Sequence, residues 1–362
     1  MALELVIPRR ELNGIEADES LAQFVRRRFG NEALERIAQP MVGGIYTADP
    51  ERLSLRATMP RFLEMERTHG SVIRALRQAN GRADLKRESD TSGARYSLFL
   101  SFDRGMQVLT DSLQQRIEAN GAQGQTSIRL NTTVASLTRE PTEPGSNHPG
   151  KWKLRTSDNE TFVADAVCLA LPAYVSSRLL SETEPQLAGE LSEIPYASSA
   201  TVNLAYQRAD IPHPLDGFGF VVPFIEKRSL MACTFSSVKF SGRAPQGQVL
   251  LRAFVGGALQ PELAELSEAE LVSRVRADLR DLLGIERAPL FAEVNKWERS
   301  MPQYHVGHLE RVERIEARLA SLPGLVLAGN AYSGPGIPDC IRSGERAADL
   351  IEAVGSSGQP NA

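Results

Sequence analysis

Cysteine is scarce: Cys168, Cys233 and Cys340 are the three in 362 residues, far apart and without a Cys-x-x-Cys pair. That spacing excludes a disulfide scaffold and a thiolate zinc site, and predicts reduced, buried thiols. Histidine is scarce too. His305 and His308 stand three apart, but Pro302 and Gly307 argue against a helix that would converge them, and no third ligand is evident, so no metal is expected. A basic excess is missing: 41 Lys and Arg against 45 Asp and Glu give a net charge of −4, which predicts no nucleic-acid partner. No apolar run reaches the roughly 18 residues of a spanning helix, and the amino terminus lacks a basic-then-apolar signal. The expected location is the cytoplasm, with membrane contact, if any, peripheral on the inner face of the cell membrane. Ser343 sits in Ser-Gly-Glu without a nucleophile elbow, so no hydrolase is predicted.

What is present is an ordinary globular composition, 42% hydrophobic and 24% charged, enough for about two cored domains. The sharpest local signal lies in the last fifth. An apolar strand, Leu325 to Ala328, enters Gly329-Asn-Ala-Tyr-Ser-Gly-Pro-Gly-Ile-Pro-Asp-Cys340, and a small-residue helix is predicted from Ile341 to Ile351. Gly329, Gly334 and Gly336 let backbone approach a ligand, and a helix start offers unpaired N–H groups and a positive dipole end to an electron-rich group. A dinucleotide is the ligand this suggests; a plain chain reversal would look similar.

Elsewhere, Leu21, Phe24, Val25, Phe29, Leu34, Ile37 and Met41 fall at helical spacing between Asp18 and Met41, with Arg26, Arg27 and Arg28 among them. The helix either packs on a core or lies at a membrane surface with Phe24 or Phe29 towards lipid. A second helix is predicted over Asp103 to Asn120. Strands follow at Ser127 to Leu137, Lys151 to Thr156 and Ala166 to Ala170, around an exposed loop from Glu140 to Pro149. Thr201 to Tyr206, Phe218 to Pro223, Leu230 to Phe235 and Val249 to Val255 read as a largely antiparallel sheet, followed by a helix from Ser267 to Leu283 and a strand near Phe291 to Trp297.

The glycine turn, its Ile337-Pro-Asp-Cys-Ile-x-Ser-Gly344 run and Met301-Pro-Gln-Tyr-His-Val-Gly-His308 together resemble the carboxyl-terminal FAD motif of the flavin amine oxidase superfamily, most closely the protoporphyrinogen oxidases of haem synthesis. Ile37-Ala-Gln-Pro-Met-Val-Gly-Gly-Ile-Tyr-Thr-Ala-Asp-Pro50 and Leu53-Ser-Leu55 are similar to that family's substrate-side segment. The Gly-x-Gly-x-x-Gly turn that grips the FAD pyrophosphate in this family is nowhere in the sequence, so the resemblance implies that the family's first FAD segment is missing from the chain as written. It also places the family's arginine for a substrate propionate upstream of Met1, so no residue is assigned to it.

The resemblance implies substrate-wall roles for Gly44, Phe218, Val221 and Phe254, and FAD contacts at Val134, Trp297, Gly329, Asn330, Pro335, Gly336 and Ile337. On sequence alone Gly44 could equally be a helix-ending glycine, and Phe218, Val221, Phe254, Val134 and Trp297 could be core. The expected fold is α/β (α+β): the later part of a three-layer, Rossmann-like FAD domain, a mixed-sheet substrate domain and a helical membrane-binding lobe. The expected division is 1–95 helical lobe, 96–175 return to the FAD domain, 176–300 substrate domain and 301–362 carboxyl-terminal FAD segment. The implied reaction is FAD-dependent oxidation of protoporphyrinogen IX, or of coproporphyrinogen III, by three rounds of hydride transfer to flavin, with no catalytic side chain, with oxygen or a quinone-linked chain as acceptor and a homodimer as an option. A flavin oxidase or desaturase acting on an amine or polyene, and an inactive fragment or binding module, are the alternatives.

Overall fold

The structure, a computed structural model, describes residues 2–9, 18–78, 100–121, 126–140 and 150–356. Of the loop predicted at Glu140 to Pro149, residues 141–149 lie outside the described residues. The chain divides into two compact units. Met1–Arg129 with Ser198–Glu298 forms the first, and Leu130–Ala197 with Arg299–Ala362 the second.

In the first unit, alternation builds a five-stranded sheet in the order Gly219–Val221, Leu230–Phe235, Gln248–Gly256, Tyr196–Gln207, Phe291–Pro302. The first three neighbouring pairs are antiparallel. Val202, Leu204 and Tyr206 point inward with Val249, Leu251, Ala253 and Val255, and the alternate positions point to the other face. The inward face meets the helix Glu268–Leu283, whose Leu271, Val275, Leu279 and Leu283 recur every four residues. Each of these buried side chains contributes about 1.5–3 kcal/mol over exposure. A capping box of Ser267 and Glu270 starts that helix, and Gly284, at φ 72°, ends it. Asp278 on the same helix accepts the Leu230 N–H at 3.0 Å, tying helix to sheet.

The predicted helix from Asp18 to Met41 forms, with one break. Ser20 and Gln23 cap Leu21–Phe29, Gly30 interrupts at φ 89°, and helical structure resumes from Asn31, passes through a π-turn at Leu34–Ala38 and continues as Gln39–Tyr46. The lipid-facing reading of its first part is wrong. Phe24 is 2% exposed, and Phe29 packs on the same core. The arginines are committed to carboxylates: Arg26 to Glu51, Arg27 to Glu19 and Glu66, and the buried Arg28 to Glu4. Burial would raise the Glu4 carboxyl, but bonds from Ser71, Arg28 and the Val72 N–H outweigh it and hold the group below its usual range. Among the described residues no helix is long and apolar enough to cross a membrane.

In the second unit Val134–Arg139, Trp152–Thr156 and Thr161–Ala164 form an antiparallel meander, and Val167–Leu169 pairs in parallel with Leu325–Leu327. The first of these strands begins at Val134, seven residues later than predicted, because residues 126–133 are irregular and largely exposed. Trp152 is fully buried and donates its Nε1–H to the Pro323 carbonyl at 3.2 Å, so the meander shares its core with the parallel pair. Helices Ala173–Leu180, Pro185–Ser192 and His308–Leu319 cover that core. All three cysteines are free, but the expectation of burial holds for Cys233 alone: Cys168 is exposed and Cys340 half-buried. Desolvation pushes the Cys233 thiol up to about 12.

Candidate active site

Two sets of residues bear on function, one in each unit. In the first unit, strand register lines up residues that are far apart in sequence. Val221 pairs with Ala232, Ala232 with Phe254, and Phe254 with Thr201. Directly paired residues share a face, so these four side chains form a row across the face opposite the core. At the usual strand spacing the row spans about 14 Å. Trp297 extends it, its Nε1 lying 3.5 Å from the Thr201 hydroxyl. An extra residue, Met231, sits between Leu230 and Ala232 opposite Val255 and Phe254, and this bulge turns Ala232 to the open face. Val221 and Trp297 are 42% and 52% exposed, so the row is surface in this unit rather than core.

Gly44 belongs to the same place. A Cβ built on it would lie 3.6 Å from Val221 Cγ1. The helix Gln39–Tyr46 is fixed there at both ends: Gln39 Oε1 accepts the Phe224 N–H, and the Thr47 carbonyl accepts the Ala258 N–H, each at 2.8 Å. Gly44 does not end that helix. The left-handed C-cap is Thr47, at φ 50°. Met41, one turn before Gly44, and Ile45 are exposed apolar residues of the same helix. Phe218, 42% exposed, precedes the edge strand, and its carbonyl accepts the Phe235 N–H at 2.9 Å.

In the second unit the strand Leu325–Leu327 runs into the glycine turn, and the helix beyond spans Ile337–Ser356, starting four residues before the predicted Ile341. Pro338 suits that earlier start, since its missing N–H falls in the first turn. Gly329 and Gly334 take φ 123° and 129°, values that L side chains rarely adopt. Buried side chains pin the turn. The Tyr304 hydroxyl donates to the Asn330 carbonyl at 2.5 Å and accepts the Gly334 N–H at 2.8 Å, while Ser343 Oγ accepts the Gly329 N–H at 3.1 Å. His308, stacked on Tyr304 with ring centroids 4.1 Å apart, bonds the Tyr332 carbonyl through Nε2. Sequence reasoning weighed His308 as a metal ligand and as the end of the family motif, and missed that it opens the helix His308–Leu319 after Gly307, at φ 88°.

The helix start is less open than the sequence suggests. Asp339 Oδ2 accepts the Gly336 N–H at 3.3 Å, placing a carboxylate in the first turn. That carboxylate, itself paired with Arg342, takes an N–H that would otherwise be open to a phosphate. Asn330, Pro335, Gly336 and Ile337 form a partly accessible strip beside the exposed Ser333 and Pro338, with Ile337 49% exposed and no Cβ at Gly336. Such a strip suits the flat face of a ring system better than an anion. Val134 lies in the same unit, half-buried and paired with Thr156 at the start of the meander.

Comparison with known proteins gives the class. Residues 2–352 match the flavin-containing amine oxidoreductase family. The chain therefore belongs to that family and is a flavin-dependent oxidoreductase. It is similar to the coproporphyrinogen III oxidase of Bacillus subtilis strain 168, 30% identical over 348 residues that cover 96% of this chain and 69% of that one. Similarity to the chloroplastic protoporphyrinogen oxidase of Nicotiana tabacum is also 30%, over 92% of this chain and 62% of that one. Among solved structures, a protein from Exiguobacterium sp. 255-15 described as a protoporphyrinogen oxidase superposes with a TM-score of 0.77 at 28% identity, covering 98% of this chain and 70% of that one.

Proposed function

We propose that the protein oxidises a porphyrinogen to a porphyrin in haem biosynthesis with FAD as cofactor. The observation that carries this is the row Val221, Ala232, Phe254, Thr201 and Trp297, closed on one side by Gly44: an apolar bed wide enough for a broad macrocycle. Such a ligand gains most of its binding from buried apolar area, at about 25 cal/mol per Å². Kinship with coproporphyrinogen and protoporphyrinogen oxidases supports the same substrate class.

FAD, when bound, supplies the hydride acceptor. The chain's own residues place and shelter the reactants. Phe218, Val221 and Phe254 hold the macrocycle by its face and strip water from it, and the helical backbone at Gly44 closes down on it. Gly329, Asn330, Pro335, Gly336 and Ile337 hold the cofactor, with Val134 of the same unit as a further contact. Tyr304 and Ser343 keep the glycine turn in shape. The row carries apolar and hydroxyl side chains, so its part in the reaction is orientation.

The test is a visible absorption spectrum of the FAD-loaded protein during anaerobic addition of protoporphyrinogen IX or coproporphyrinogen III. Bleaching of the flavin by either is expected. Flavin that is bound yet bleached by neither overturns the reading.

A further inference from the structure

The row just described has a neighbour one step down the sheet that is not apolar. Thr234 pairs with Arg252, and Arg252 with Asn203. Arg252 stands two residues before Phe254 on one strand, so both point to the open face, with Cα atoms about 7 Å apart. Gly219, paired with Thr234 at the far end of this second row, contributes no side chain. Arg252 is therefore an exposed cation at the border of an apolar bed.

Its guanidinium is held in one orientation. The Nε–H donates to Asn203 Oδ1 at 2.8 Å, and Asn203 is only 7% exposed, a costly place for a carboxamide unless its oxygen is used. Among the described residues no carboxylate pairs with Arg252. Because Nε is taken, the edge that remains is the pair of Nη groups, which present two parallel N–H bonds. That is the geometry of a bidentate carboxylate clamp.

We propose that Arg252, set by Asn203, binds a carboxylate arm of the substrate. This rests on the porphyrinogen reading and sharpens it: the face of the macrocycle lies on Phe254 and Val221, and one propionate reaches the Arg252 guanidinium. Arg252 is then a substrate-binding residue, and Asn203 a positioning residue that acts through it.

The experiment uses FAD-loaded protein and compares wild type with Arg252→Leu, Arg252→Lys and Asn203→Leu. Coproporphyrinogen III, protoporphyrinogen IX and coproporphyrinogen III methyl ester are the substrates. Loss of a charge-assisted bidentate pair should raise KM for coproporphyrinogen III roughly 10- to 100-fold in Arg252→Leu, with kcat changed less than about threefold. The flavin spectrum stays as in wild type, and the methyl ester is turned over equally by both proteins. Asn203→Leu raises KM by a smaller factor, and Arg252→Lys recovers part of the loss. An Arg252→Leu enzyme with unchanged KM for the acid, or with acid and ester affected alike, overturns the proposal. If Arg252→Leu does not fold, Arg252→Lys and Asn203→Leu decide it, because unchanged KM in both has the same meaning. A wild type that turns over none of the three removes the underlying reading instead.

Discussion

The open sheet face and the glycine turn solve opposite problems. Across the sheet face, Val221, Phe254 and Trp297 leave apolar area partly uncovered, and their positions are set by strand register. In the turn, backbone groups are consumed by Tyr304, Ser343, His308 and Asp339, so that residues 329–336 keep one shape. A surface meant for a broad apolar ligand can be built from spare area, whereas a loop that meets a cofactor must be held by directed bonds. The glycines show the same contrast. A Cβ at Gly219, on the sheet edge, would lie 2.1 Å from the Cys233 carbonyl oxygen, while one at Gly329 would meet nothing within 4 Å.

The largest effect belongs to the turn. Gly336→Trp places an indole on the accessible strip, where even a Cβ lies 2.9 Å from Asp339 Oδ2, and should weaken FAD binding by at least about 100-fold. Flavin titration followed by fluorescence checks this, and full occupancy in the variant would dissociate the turn from the cofactor. Next comes the sheet. Gly219→Ala combines φ 141° with a backbone clash and should cost roughly 2–4 kcal/mol in urea unfolding, whereas Gly329→Ala meets open space and pays only for its left-handed backbone, about 1–2 kcal/mol. Equal losses at the two sites would erase the contrast between them. The smallest is Tyr304→Phe, which leaves the part-buried Gly334 N–H without its acceptor, for about 0.5–1.5 kcal/mol in thermal unfolding together with weaker FAD retention. A variant as stable and as well loaded as wild type would show that the turn keeps its shape without the hydroxyl.

Much of this was legible locally. The β-rich runs Leu230 to Phe235 and Val249 to Val255 predicted strands that formed within a residue of their expected ends, because β-branched and aromatic side chains suit the pleated sheet. The helix predicted from Ser267 to Leu283 forms as Glu268–Leu283, with Ser267 and Gly284 as its caps. Where the reading failed, the missing information lay in the partner. Periodicity gave Phe24 an apolar face but not what covers it, and the arginines beside it looked free until Glu4, Glu19, Glu51 and Glu66 were brought to them. The same holds for Cys168: an apolar neighbourhood in sequence became an exposed position in the strand pair with Leu325–Leu327.

The sequence by itself determined the strand, turn and helix of residues 325–356, because glycine and proline act through their own backbone geometry, and it carried the family signature in those words. Only the tertiary structure decided that Gly44, Val221, Phe254 and Trp297 stand together and that Arg252 is held beside them by Asn203. Those positions depend on register between strands drawn from across residues 196–302, and a slip of one residue would turn each side chain to the opposite face.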